Sequence, residues 1–358
     1  MKKKARLPPD FDPSLYVSLH PDLVAAKVDG TEHYLNQGFF EGRPYRKGYH
    51  FHIDVFSHCN LRCPSCLVGS KYGNIKAWPR GLMAPELLAK ILDKARSECH
   101  VQTVAFFNWT EPLLHPNLPD LVREVKVRNL FCMLSSNLNV LRDPERLLAE
   151  NPDLLRISLS GFTQAMYEIG HKGGNIEVVK RNMERLAKAH AEASAKTKIE
   201  VVYHRYRYNH DEIAPMERFA RSLGFEFRTQ LAYLTVVEKI IEFFEGRATP
   251  QDQEIISRLA LPLDRALEIT SREPQASTCY LLEDNVVLDV KGNVMLCSGS
   301  SMESVNVIAN FLELPLKELQ ELRREKTLCR SCMKLGLQDY FQASPEFERI
   351  AAETIAAR

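Results

Sequence analysis

Apolar residues gather in six short stretches of the chain, and the first of these is rich in β-branched and aromatic side chains. The first of them alternates between apolar and polar positions, which is typical of a half-buried strand. The pattern predicts strands at 51–56, 101–107, 130–135, 154–159, 198–204 and 225–230.

Longer stretches with helical spacing separate these strands. They predict helices at 84–97, 117–128, 143–150, 163–169, 175–194 and 211–223. Strands that alternate with helices of this length form βαβ units and a parallel sheet. Six units predict an α/β fold, a partial (β/α)6 barrel, whose functional groups lie at the carboxyl ends of the strands.

The remaining segments flank this barrel. Asp12-Pro13 and Pro21-Asp22 each predict a helix start, Gly30 predicts the end of the second helix, and Gly38 the end of a third. The expected organisation is an N-terminal helical segment at 1–48, the barrel at 49–235, a helical connector at 236–275 broken at Pro250 and Pro262, a small hairpin and helix domain at 276–340, and a helical tail at 341–358.

Composition narrows the class of protein. The chain has 358 residues, of which 45% are hydrophobic and 26% charged, with a net charge of +1. These values are ordinary for a globular protein and give no case for nucleic-acid or anionic-membrane binding. No apolar run is long enough to span a bilayer, and Pro8, Pro9 and Asp10 stand where a signal peptide would need its apolar core. We therefore expect a cytoplasmic protein.

Three of the nine cysteines lie on the loop after the first strand, as Cys59, Cys63 and Cys66. Pro64 excludes a regular helix interior there. Three thiolates on one tight loop suit an iron–sulfur centre that keeps one iron free of protein thiolate. A structural zinc site and three unrelated buried cysteines are the alternatives.

The spacing Cys-x3-Cys-x2-Cys after the first strand of an α/β pattern resembles the radical S-adenosylmethionine (SAM) superfamily. The resemblance implies that Cys59, Cys63 and Cys66 hold a [4Fe–4S] cluster whose fourth iron is chelated by SAM. It also implies that one electron cleaves SAM to methionine and a 5′-deoxyadenosyl radical, which abstracts a hydrogen atom from the substrate.

Two further strand ends resemble the SAM-binding motifs of that family. Thr110-Glu111-Pro112 stands where the family usually has Gly-Gly-Glu-Pro, which implies that this segment meets the SAM amino group through backbone carbonyls and Glu111. Asn108, Trp109 and Thr110 replace the small residues of the family. Ser135-Ser136-Asn137 resembles the segment that contacts the ribose and carboxylate of SAM.

The next two motifs depart from the family pattern. The segment from Ser158 to Gly161 resembles Ser-Leu-Asp-Gly, with Ser160 in the acidic position, and a serine cannot act as a base unaided. His171 and Lys172 stand where many relatives carry Arg-Gly-Gly. The resemblance therefore implies that one of them replaces the arginine as the basic contact.

The end of the fifth strand is unusually rich in polar and aromatic groups. Alternation places Arg205 and Arg207 on one face and His204, Tyr206 and Tyr208 on the other. We expect His204, Arg205, Tyr206 and Arg207 to bind substrate or SAM, with an arginine or histidine taking up a proton. The alternative is an exposed strand end with arginine–aromatic stacking.

A second cysteine set follows the connector. Cys279 precedes a hairpin with a turn at Lys291-Gly292-Asn293, Cys297 ends the hairpin, and Cys329 and Cys332 follow in a Cys-x2-Cys pair. Four thiols suit zinc or a fully ligated iron–sulfur cluster. The arrangement resembles the twitch form of the SPASM domain, which implies one auxiliary [4Fe–4S] cluster.

The combined resemblance implies a radical SAM oxidoreductase with dehydrogenase-like activity on a sugar or polyol hydroxyl, with the auxiliary cluster as electron acceptor. The stretch 11–43 resembles a short repeat found beside bacterial glycosyltransferase domains, which also implies a glycan context, although it can equally be a helical clasp on the barrel. The expected partners are that substrate and a one-electron reductant such as flavodoxin or ferredoxin. The alternatives are a peptide maturase acting on a peptide substrate, a sugar epimerase with Cys132 as hydrogen donor, and a non-catalytic zinc protein.

Overall fold

The computed structural model describes residues 5–70, 78–271, 278–342 and 344–357. Within these residues, six parallel strands form the barrel in the sheet order β6-β5-β4-β3-β2-β1. The strands are β1 (Gly48–Ile53), β2 (His100–Phe106), β3 (Cys132–Ser136), β4 (Leu154–Leu159), β5 (Lys198–Arg205) and β6 (Glu226–Leu231). The predicted α/β fold is confirmed, with the first strand beginning three residues earlier than the pattern indicated.

One helix follows each of the first three strands, and β4 is followed by two. The barrel helices are α5 (Pro85–Glu98), α6 (Leu118–Lys126), α7 (Pro144–Ala149), α8 (Gln164–Gly170), α9 (Ile176–Glu192) and α10 (Ile213–Ser222). Asp143 and Asn175 cap α7 and α9 by accepting hydrogen bonds from backbone N–H groups of the first turn. These helices cover the outer face of the sheet and enclose the largest apolar core.

The alternation of the strands decides which side chains face the barrel interior. Leu155, Ile157 and Leu159 of β4 are fully buried in the core beneath the helices. Ser158 points to the opposite face, because neighbouring residues of a strand point to opposite sides. The same alternation in β5 buries Tyr203 in the core and leaves His204 on the inner face.

The C-terminal hairpin continues the same sheet. Strand β7 (Asn285–Leu288) pairs parallel to β1, β8 (Asn293–Met295) runs antiparallel to β7, and β9 (Val307–Asn310) pairs with β8. Asp289 fixes the turn by accepting hydrogen bonds from the backbone N–H groups of Lys291 and Asn293. The hairpin is therefore joined directly to the first barrel strand.

Helices of the C-terminal half surround this hairpin and the mouth of the barrel. They are α11 (Val237–Phe244), α12 (Pro250–Ser257), α13 (Leu263–Thr270), α14 (Tyr280–Glu283), α15 (Leu316–Arg324), α16 (Thr327–Lys334), α17 (Leu337–Tyr340) and α18 (Pro345–Ala356). The expected breaks at Pro250 and Pro262 are present. The junction between the connector and the hairpin domain, predicted at 275–276, lies outside the described residues. Across the described segments, no helix combines the length and apolar character needed to cross a membrane.

The N-terminal segment differs from the sequence prediction at two glycines. Its helices are α1 (Pro13–Ser18), α2 (Pro21–Ala26), α3 (Gly30–His33) and α4 (Phe39–Glu41), and a π-helical stretch, Tyr34–Gly38, joins the last two. Gly30 begins α3 instead of ending α2, and Gly38 lies inside a continuous helical run. A Cβ at Gly30 would lie 2.4 Å from the Pro13 carbonyl oxygen, and one at Gly38 would lie 2.0 Å from the Tyr16 hydroxyl. Both glycines therefore serve close packing between helices and not helix termination.

Candidate functional site

A cavity of about 280 Å³ opens at the carboxyl ends of the barrel strands. Its walls come from the cysteine loop after β1 and from the ends of β2 to β6, as expected for a parallel barrel. Twelve of the predicted site residues line it: Cys59, Cys63, Cys66, Thr110, Glu111, Ser135, Ser136, Asn137, Ser158, His171, His204 and Tyr206.

The cysteine loop is anchored on three sides. The Arg62 backbone N–H donates to the Lys172 carbonyl oxygen over 2.9 Å, so Lys172 acts here through its backbone. The Thr235 hydroxyl donates to the Ser65 carbonyl oxygen over 2.9 Å, and the Ser65 and Tyr206 hydroxyls lie 2.9 Å apart. These contacts fix the loop that carries the three thiols.

The chemistry of these thiols fits an iron–sulfur cluster. Burial raises the pKa of Cys59 to about 12 and that of Cys66 to about 11, so they need a cation to become thiolates at neutral pH. The Leu61 backbone N–H and the Asn137 amide already point at Cys59 Sγ, at 3.5 and 3.7 Å. Such donors stabilise a thiolate ligand and tune its metal centre.

No three or more His, Cys, Asp or Glu side chains in the described ranges form a group that could hold a single metal ion. A multinuclear cluster does not require such a group, because each thiolate binds a different iron. Cys59, Cys63 and Cys66 line one cavity, with hydrogen-bond donors beside Cys59 Sγ, so the residues present fit a cluster there.

Glu111 joins the ends of β2 and β3 beside these cysteines. Its carboxylate accepts hydrogen bonds from Ser136 Oγ over 2.7 Å, from the Asn137 backbone N–H over 2.9 Å, and from the Leu113 backbone N–H over 3.0 Å. Burial raises the pKa of Glu111 to about 7. Glu111, Ser136 and Asn137 thus form one hydrogen-bonded polar wall beside the cysteines.

Asp54 is a buried carboxylate that the sequence analysis missed. It accepts hydrogen bonds from the backbone N–H groups of Asn108, Trp109 and Thr110, and from the Thr110 hydroxyl over 2.7 Å. It therefore shapes the segment that leads to Glu111. The sequence did contain one indication of this role, because Asp54 is an acidic residue inside the otherwise mostly apolar run 51–56.

Two histidines occupy the wall formed by β4 and β5. His204 Nε2 lies 2.7 Å from Ser158 Oγ, and His171 Nδ1 lies 2.8 Å from Ser160 Oγ. Burial lowers the pKa of His204 to about 4 and that of His171 to about 3, so both rings are neutral at physiological pH. Ser160 is fully buried behind His171 and does not line the cavity.

The two arginines predicted as site residues at the end of strand five lie outside the cavity lining. Arg205 pairs with Glu348 of α18 at 2.5 Å, and neither Arg205 nor Arg207 lines the cavity. Cys132 lies at the start of β3, at the opposite end of the barrel, and is buried in the apolar core. This placement removes Cys132 as a hydrogen donor to a substrate in the cavity.

The four C-terminal cysteines also come together. Cys279, Cys297, Cys329 and Cys332 line one small apolar cavity of about 20 Å³, between α11, the hairpin and α16. Val237 is part of its wall. The structure thus unites thiols that lie up to 53 positions apart in sequence (279 to 332).

A comparison with protein families matches residues 53–216 to the radical SAM superfamily. Among curated proteins, the chain is 28% identical over 182 residues to a tungsten-containing aldehyde ferredoxin oxidoreductase cofactor-modifying protein of Pyrococcus furiosus, covering 49% of each chain. It is 26% identical over 147 residues to a probable GTP 3′,8-cyclase of Methanococcus maripaludis, covering 40% of this chain and 47% of that one. The chain spans about half the length of these curated relatives.

Solved structures share the fold. Native anSMEcpe with bound AdoMet has a TM-score of 0.51 at 17% identity, covering 83% of this chain and 85% of that one. Streptococcus suis SuiB bound to S-adenosylmethionine has a TM-score of 0.52 at 11% identity, covering 87% and 72%. The solved structures share the fold, and residues 53–216, which include the three-cysteine loop and the polar residues around it, match the radical SAM domain, the family that uses a [4Fe–4S] cluster and SAM.

Proposed function

We propose that this radical SAM enzyme oxidises a hydroxyl group of a sugar or polyol to a carbonyl, with a second [4Fe–4S] cluster on Cys279, Cys297, Cys329 and Cys332 as electron acceptor. The observation that carries the proposal is the segment 235–237, which connects the two cysteine sites. Thr235 bonds to Ser65 in the first cysteine loop, Val236 packs in the apolar cluster that contacts Cys59 and Cys66, and Val237 lines the four-thiol cavity.

This connection is short. The Cα atoms of residues 235 and 237 are separated by at most about 7 Å, because two extended residues span no more. A route of packed atoms therefore leads from the wall of one site to the wall of the other. This route suits electron transfer between clusters bound at the two sites.

The proposed reaction balances as a two-electron oxidation. A cluster held by Cys59, Cys63 and Cys66, with SAM, would supply the radical chemistry that removes the hydrogen atom of a carbinol carbon. A base of the protein would take the hydroxyl proton, and a second centre on the four C-terminal cysteines would take the remaining electron. The chain has to position the carbinol group, accept the proton and exclude water.

His204 is the best placed proton acceptor. It lines the cavity, it is held by Ser158, and its lowered pKa keeps the ring neutral at physiological pH. Burial raises the pKa of Tyr206 to about 12, so its hydroxyl stays protonated and serves as a hydrogen-bond donor or acceptor towards Ser65. Arg205 and Arg207 remain candidates only for a role outside the cavity.

We expect substitution of His204 by alanine to lower carbonyl formation about 10²- to 10⁴-fold, the usual contribution of a general base. Because the His204 pKa is lowered to about 4, the wild-type rate should decline only as pH falls towards that value, and not near 6.5. The measurement is the pH profile of product formation per SAM consumed. His100, exposed at the opposite end of β2, provides the matched control in His100→Gln.

The substrate class is tested with the reconstituted enzyme, SAM, and reduced flavodoxin or ferredoxin as the proposed partner. Polyols and sugars deuterated at the carbinol carbon are offered singly. Transfer of deuterium into 5′-deoxyadenosine with formation of a ketone or aldehyde supports the proposal. Consumption of SAM without loss of a substrate C–H bond contradicts it, as does deuterium transfer from a peptide alone.

Such a thiolate-rich enzyme suits a reducing compartment, so we also propose a cytoplasmic location.

A further inference from the structure

Arg323 is a fully buried arginine in the last turn of α15. Its guanidinium group is surrounded by neutral acceptors. It donates to the Leu296 and Asn285 carbonyl oxygens over 2.7 Å each, to the Leu281 and Leu282 carbonyl oxygens over 3.2 and 3.3 Å, and to Gln320 Oε1 over 2.5 Å.

This charge has no carboxylate partner among the described residues. The neighbouring Arg324 differs in this respect, because it pairs with Glu283 and is half exposed. Burying a charge without a counter-charge costs several kcal/mol, and hydrogen bonds to neutral carbonyls offset only part of that cost. An arginine remains charged in proteins, so a negative group near Arg323 would offset the remaining cost of burying it.

On the described segments that Arg323 contacts, Glu283 is already paired with Lys47 and Arg324, and Asp284 is exposed. The four-thiol site supplies the buried candidates. The carbonyl groups bound by Arg323 follow Cys279 in α14 and directly precede Cys297 at the end of the hairpin. Helix α15 leads into α16, which carries Cys329 and Cys332. Burial lowers the pKa of Arg323 to about 10, while the thiolates of Cys297, Cys279 and Cys329 act in the opposite direction.

We propose that Arg323 is a positioning residue that supplies the positive counter-charge for a metal centre on these four cysteines, and that it raises the reduction potential of that centre. The inference rests on the second iron–sulfur cluster of the proposed function. Four thiolates give the centre a net negative charge, and each electron added to it increases that charge. A positive charge nearby in a poorly polarisable interior favours the reduced state.

The test uses the Cys59→Ala/Cys63→Ala/Cys66→Ala background, so that only the second centre is observed. Arg323→Gln, Arg323→Lys and the control Arg324→Gln are reconstituted anaerobically, and the centre is titrated by EPR against redox mediators. In Arg323→Gln, the ratio of reduced to oxidised centre at a fixed potential should fall at least about tenfold, which is 59 mV for a one-electron couple. Arg323→Lys, which keeps the charge, should stay close to the parent, and Arg324→Gln should match it.

The outcomes separate the inference from the proposed function. A parent that binds no iron at this site overturns both. A centre that loads fully in Arg323→Gln with the potential of the parent overturns the inference alone. Equal loss of iron in Arg323→Gln and Arg323→Lys also overturns it, because Arg323 would then be only a clamp for the backbone carbonyls.

Discussion

Replacing Asp54 with alanine should lower the affinity for SAM at least about 100-fold and destabilise the barrel mouth by about 3 kcal/mol or more. The carboxylate receives three backbone N–H groups and one hydroxyl from the segment 108–110. Alanine leaves these buried donors without a partner, and each such donor costs about 1–3 kcal/mol. The segment leads directly into Glu111, so its displacement disturbs the polar wall of the cavity.

Asparagine at the same position provides the matched comparison. The shortest bonds are made by Oδ1, while Oδ2 accepts only a long one of 3.3 Å from Trp109. Asp54→Asn keeps an oxygen in the Oδ1 position, so we expect SAM affinity within about tenfold of wild type, a difference of 1.4 kcal/mol or less. Calorimetric titration of the reconstituted proteins with SAM measures both. Wild-type affinity in Asp54→Ala would show that the segment 108–110 does not depend on Asp54.

The second large effect is expected at the buried ion pair between Lys239 and Asp252, which joins α11 to α12. The two groups lie 2.5 Å apart with 2% and 5% of their side chains exposed, and Thr249 also bonds to Asp252. Burial acts to raise the pKa of Asp252, but the bonds from Lys239 and Thr249 hold it below its usual value. Lys239→Met removes the cation and leaves a buried carboxylate, at a cost of about 3–5 kcal/mol.

Removing both charges should be far less harmful than removing one. Lys239→Met/Asp252→Leu replaces the pair with apolar groups, and such exchanges are often close to neutral. Lys188→Met serves as the control, because Lys188 pairs with Glu192 on the surface with 76% and 61% of the side chains exposed, so we expect a change below about 0.5 kcal/mol. Chemical unfolding under anaerobic conditions gives the midpoints. A single variant as stable as the double variant would contradict the argument.

The barrel could be predicted from the sequence because patterns among neighbouring residues define its strands and helices. The strands β2, β4 and β6 begin or end within one residue of the predicted limits, since alternation and flanking turn residues define them. The three-cysteine loop could be predicted for the same reason, because its three thiols lie within eight residues of sequence. In β5, the apolar residues Ile199, Val201 and Tyr203 lie on the same side of the strand as Arg205. We predicted from the sequence that Arg205 binds substrate or SAM, although this alternation favours an outward Arg205 and an inward His204.

The features that could not be predicted depend on contacts between distant segments. Nothing near Asp54 in the sequence shows that it binds a loop more than 50 positions away. The bond from Thr235 to Ser65 and the burial of Arg323 arise only when the connector and the hairpin pack on the barrel. Gly30 and Gly38 predicted helix ends, because glycine often follows the last turn of a helix. In the structure they instead allow close packing against Pro13 and Tyr16.

The central claim is that the chain holds two [4Fe–4S] clusters, one on each cysteine set. Iron and sulfide content after anaerobic reconstitution tests it most directly, with the Cys59→Ala/Cys63→Ala/Cys66→Ala variant measured alongside. We expect about eight irons per chain in the wild type and about four in the variant. About four irons in the wild type and none in the variant would contradict the second cluster and, with it, the proposed oxidation.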